Sequence, residues 1–65
     1  MTRRYEFVVD GVAGPRVLSE LVGFSPTTED GQTRIVGDVR DQAEIDGICA
    51  RLRDAGYAVI AMGPA

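Results

Sequence analysis

The stretch Phe24–Val39, FSPTTEDGQTRIVGDV, decides the fold of this chain. At its centre Asp30-Gly31 is the strongest turn signal present, a pair suited to the two positive-φ positions of a two-residue hairpin. If that turn forms, residues whose numbers sum to 61 face each other: Thr28 with Thr33, Pro26 with Ile35, Phe24 with Gly37. Phe24, Ile35 and Val39 then share one face. Thr27, Arg34, Val36 and Asp38 share the other. Pro26 has no backbone donor, so the strand that carries it belongs at a sheet edge.

Downstream of the hairpin, Asp41–Gly56 reads as a helix. Asp41 is an N-cap with Glu44 three residues on, a pair resembling a capping box. Ile45, Ile48, Cys49 and Leu52 make one apolar stripe, and Gly56 is a left-handed terminator. Gly47 weakens the helix by about 1 kcal/mol relative to alanine. Tyr57–Met62 follows as a last strand, apolar on both faces. Upstream, Arg4–Asp10 alternates as a half-buried strand, with Tyr5, Phe7 and Val9 on one side. Gly14–Gly23 is a short helix opened by Pro15, with Leu18, Leu21 and Val22 on its inner side.

The order strand, helix, strand, strand, helix, strand implies one α+β domain over residues 1–65. The expected fold is a ferredoxin-like βαββαβ two-layer sandwich, an antiparallel four-stranded sheet of order 4-1-3-2 with both helices on one face. The other face is then bare. Alternation places Glu6, Val8, Asp10, Thr27, Arg34, Val36 and Asp38 there, while the period of the last strand leaves its own inward side open. Val8, Arg34, Val36, Ile60 and Met62 are therefore the candidate interface residues. A domain this small is marginally stable, and covering about 300 Å² of apolar surface is worth several kcal/mol before association costs. The expectation is a homodimer, or binding of another protein, through the open face. The plainer alternative is that Val8 and Val36 serve strand propensity alone.

Composition narrows the chemistry. The 65 residues hold seven basic and ten acidic side chains, no histidine and a single cysteine. That excludes a Ser-His or Cys-His nucleophile pair, an imidazole metal ligand, an internal disulfide and a CxxC zinc site. A pI near 4.6 argues against nucleic acid as a partner. The sheet positions where RNA-recognition modules carry aromatics hold Glu6, Val8, Asp10, Arg34, Val36 and Asp38 instead. No run approaches the ~20 apolar residues of a membrane span, and no leader pattern precedes Tyr5, so a cytoplasmic setting is expected. Asp38, Asp41 and Glu44 are explained by a cap and a solvated strand, not by metal or acid–base chemistry. Cys49 lies on the apolar stripe, where cysteine behaves as a small hydrophobe. No cofactor and no enzymatic activity are expected. All seven basic residues are arginine and asparagine is absent, which suggests a GC-rich genome.

The second reading concerns Gly11-Val12-Ala13-Gly14-Pro15. Glycines let backbone approach a ligand, and a helix start offers free N–H groups, so Gly11, Gly14 and Arg16 are candidate contacts for a small molecule. The alternative is a turn that needs glycine. With Asp10…Gly14-Pro15…Val17-Leu18, this region is distantly similar to ACT domains, a resemblance that implies an amino-acid-like ligand near the loop. The glycine–proline order and the short helix depart from that family.

A nearer resemblance runs over residues 5–62. Asp30-Gly31-Gln32-Thr33, Ile35-Val36-Gly37, Val39-Arg40-Asp41-Gln42-Ala43 and Ala50-Arg51-Leu52-Arg53-Asp54-Ala55-Gly56 resemble a class of small, uncharacterised actinobacterial single-domain proteins with a DG…G…DQA…RLRD-G pattern. Ile45, Ile48 and Cys49 stand where leucines are usual. The resemblance implies a small cytosolic domain and transfers no catalytic residues.

Overall fold

Asp30 and Gly31 both take positive φ, 54° and 75°, the backbone that a two-residue hairpin matching the strand twist requires. In the computed structural model, which describes all 65 residues, the turn joins β2 (Ser25–Glu29) to β3 (Gln32–Val39). Their register follows the expected sum, with Pro26 opposite Ile35 and Thr28 opposite Thr33. β1 (Arg3–Asp10) runs antiparallel on the other side of β3, pairing Phe7 with Ile35, and β4 (Val59–Pro64) runs antiparallel to β1. The resulting order β2-β3-β1-β4 is the expected 4-1-3-2 read from the opposite edge.

α1 (Pro15–Ser19) and α2 (Gln42–Asp54) complete the chain. Val17 and Leu21 from the first helical segment, and Ile45, Ile48 and Leu52 from α2, join Phe7, Val9, Ile35 and Val39 in one buried cluster. Since these strand residues lie on a single side of the sheet, both helices cover that side and leave the other open.

Four local features differ from the sequence expectation, each for a visible reason. α1 is five residues long rather than reaching Gly23, because the chain tightens into i→i−3 bonds, Glu20 N–H to Val17 and Leu21 N–H to Leu18. Val22, expected on the inner side, is left 87% exposed beyond it. β4 begins at Val59 rather than Tyr57, because residues 56–57 are used to end α2. Gly56, at φ 93°, donates to the Arg53 carbonyl and Tyr57 donates to that of Leu52, the paired bonds of a Schellman motif. Asp41 caps α2 as expected, its carboxylate accepting from Glu44 N–H at 2.9 Å. The Glu44 side chain, however, accepts from Arg40 N–H at 2.7 Å, one residue before the N-cap that a capping box would use.

The fourth difference bears on function. The β1–β4 register slips by one residue at Val8/Val9, so Val59 faces Val9, Ala61 faces Val8 and Met62 faces Phe7. Ile60 is the extra residue of a β-bulge. The bulge turns Val59 and Met62 to the helix side and Ala61 and Gly63 to the open side, an assignment that strict alternation cannot produce.

Candidate functional site

The open face is more polar than the valines in its strands suggest. Val8 and Val36 are partly buried, and charged neighbours surround them. Arg34 lies 3.8 Å from Glu6, and Arg4 lies 3.9 Å from Asp38. Asp10 and Glu29 continue the charged cover toward the hairpin end. Ion pairs this exposed contribute about 0–1 kcal/mol each, so they wet the face more than they hold it together. Of the five candidate interface residues, Val8, Arg34 and Val36 lie on this face. Ile60 sits at its margin, and a shallow depression places it beside Val8 and Arg34. Met62 does not share the face: the bulge carries it to the helix side, where its sulfur receives the Cys49 thiol at 3.4 Å.

Exposed apolar surface gathers along β4 instead. Ile60 is 49% exposed and Met62 48%, on either side of the sheet margin. Between β4 and α2 runs a groove of about 700 Å³, the largest of the four surface depressions. Cys49, Val59 and Met62 line it, with Asp46 toward one end of the helix and Arg53 toward the other. Burial pushes the Cys49 thiol pKa upward, Arg53 pulls it down, and Asp46 adds a smaller upward push. The protonated thiol that results is a poor nucleophile and a packing group.

The two free edges of the sheet are both blunted. In the hairpin, the Glu29/Gln32 pair flanking the turn exchanges backbone bonds, so two-residue alternation turns the nitrogen of Pro26 outward. At the far edge Ala65 N–H bonds the Arg4 carbonyl at 3.1 Å, which by the same alternation turns the Pro64 nitrogen outward as well. Each edge therefore lacks a donor where a further strand would need one.

The loop 11–15 is held by its own chain. Thr33 Oγ1 accepts from Ala13 N–H at 2.9 Å and its hydroxyl donates to the Gly11 carbonyl at 2.8 Å. The Tyr57 hydroxyl accepts from Gly14 N–H at 2.9 Å. Thus the Ala13 and Gly14 N–H groups that a ligand would use are already paired. Gly11 keeps its place by conformation, at φ 95°, with its N–H on the Gly31 carbonyl. Arg16 is exposed on α1 and makes no ion pair.

Thr33 and Tyr57, which organise this loop, were not singled out as site residues from the sequence. A signal for Thr33 existed, since it is a polar residue at an inward position of β3 and a buried hydroxyl must find partners. Tyr57 had no such signal, because its reach to Gly14 depends on how α2 ends.

No cluster of three or more His, Cys, Asp or Glu side chains is arranged to hold a metal ion. No helix is long and apolar enough to cross a membrane. The family model described as Domain of unknown function (DUF8691) matches residues 4–63, and the chain belongs to that family. No curated protein and no solved structure matches it.

Proposed function

We propose that this member of a family without an assigned activity is a non-enzymatic interaction module whose protein contacts are made at the β4 margin of the sheet. The observation that carries the reading is the pair Ile60 and Met62, each about half exposed, flanking one strand on opposite sides. Around them Ala61 and Val8 extend the apolar strip over the open face, and Cys49 and Val59 extend it into the α2 groove. Arg34 and Val36 form its charged and half-buried rim. Apolar centres with polar rims are how protein-binding surfaces are built. An enzymatic role draws no support from the side chains present, which offer no convergent acid, base or nucleophile.

The βαββαβ order and the position of both helices support a ferredoxin-like classification. The all-arginine composition and the DG…DQA…RLRD-G pattern support an actinobacterial origin, and the unpaired cysteine supports a reducing, cytoplasmic setting.

Replacing Ile60 with the photo-crosslinking residue p-benzoylphenylalanine in the cells that make the protein tests the reading. Protein adducts are expected from position 60 and not from Val22, which lies beyond α1 and is the more exposed of the two. Equal adducts from both positions, or none from either, would overturn it.

A further inference from the structure

Resting on that reading, we infer that the partner at the β4 margin is a second copy of this chain, docked about a two-fold axis beside Cys49 with the α2 helices antiparallel. The argument is one of self-complementarity. A two-fold interface uses the same patch on both copies, so every residue that meets a different residue must do so reciprocally.

The exposed stripe of α2 above the groove meets that condition. Asp46 and Arg53 lie seven residues apart, about 10 Å along the helix. Cys49 is three residues from one and four from the other, close to their midpoint. An antiparallel copy centred there sets Asp46 against the partner's Arg53 and Arg53 against the partner's Asp46. Apolar groups occupy the centre, because the contact between Cys49 and Met62 holds helix midpoint and strand at one level. Arg53 makes no ion pair within its own chain and is free to form one across the axis.

The blunted β4 edge sets the character of the contact. With the Pro64 nitrogen facing outward and a bulge at Ile60, two β4 strands form no long shared ladder, so the helices and the side chains of the groove carry the docking. A margin about 20 Å long and about 15 Å deep buries on the order of 600 Å² in total, which belongs to the weak class of interfaces. The dimer is therefore concentration-dependent.

The test is sedimentation equilibrium on the full chain and on two charge reversals at exposed positions, Asp46→Arg and Arg53→Asp. The wild-type chain is expected to pass from monomer to dimer as concentration rises. Each variant alone places like charges together at both ends of the stripe and weakens association at least about ten-fold. An equimolar mixture of the two variants restores dimer mass, since one copy then presents only arginines and the other only aspartates. A monomer at every concentration overturns the inference, as does a dimer indifferent to both reversals or a mixture that fails to recover. A dimer lost instead on Val36→Asp overturns it in favour of the open face. If the wild-type chain is monomeric while position 60 still crosslinks to a different protein, the inference falls and the interaction reading stands. If position 60 crosslinks to nothing, both fall.

Discussion

The ring of Phe24 lies across Gly37, so close that a Cβ at Gly37 would stand 2.6 Å from Phe24 Cδ2 and 2.7 Å from Cγ. The two face each other where the hairpin register extends one step beyond β2, and the glycine supplies the space that the ring fills. Phe24 in turn packs at 6.3 Å between ring centroids against Phe7, which stands 5.3 Å from Tyr5. A missing side chain in a central strand is thus covered by an aromatic from its neighbour.

Gly37→Ala is expected to destabilise the fold by about 1–3 kcal/mol, because the atoms in the way are the root of the ring and cannot swing aside cheaply. In a Phe24→Ala background the same substitution should cost little. A double-mutant cycle by urea denaturation reads the coupling. Additive effects would mean that ring and glycine are not in contact.

Thr33→Val keeps the shape of a fully buried side chain and removes both of its hydrogen bonds, leaving Ala13 N–H without a partner. The expected loss is about 1–3 kcal/mol, with faster amide exchange at Ala13. Tyr57→Phe strips the acceptor from Gly14 N–H and should cost about 1 kcal/mol, the smaller effect because that site is only partly buried. If ligand binding rather than folding held this loop, neither substitution would move the denaturation midpoint.

Gly47→Ala should stabilise the protein by about 0.5–1 kcal/mol. The position lies inside α2, is exposed, and offers open space to an added Cβ. Thermal unfolding measures it, and an unchanged or lower Tm would contradict the helix assignment at that point.

Cys49 should resist ionisation. Its folded-state pKa is raised mainly by burial, so in the alkaline range the unfolded chain gives up the thiol proton before the folded chain does. The folded state then holds more protons than the unfolded one, and stability falls as pH rises from the ordinary thiol range through the raised value. This contribution is fully present below the unfolded pKa. Ultraviolet titration of the thiolate follows it, and a midpoint below that of an exposed cysteine would contradict the burial.

Much of the architecture was legible because it rests on local rules. Asp30-Gly31 set the turn, the turn set the β2–β3 register, and period-two alternation sorted β1 and β3 into inner and outer residues. The capping aspartate and the terminating Gly56 framed α2 to within a residue. The candidate surface was less legible. Val8 and Val36 were placed on the correct side, but the reach of arginine and glutamate side chains over them is a matter of cross-strand geometry.

By itself the sequence determined the order of elements, the hairpin register and the apolar stripe of the long helix, since each depends on residues close along the chain. Tertiary structure alone decided the side on which Met62 lies, through a one-residue slip against β1 that no period reveals. It also decided that the loop after β1 is held by Thr33 and Tyr57, residues 20 and 43 positions away from the N–H groups they accept. Bonds across such separations form only once the helices and the sheet have closed on one another, and pairing along the chain carries no information about them.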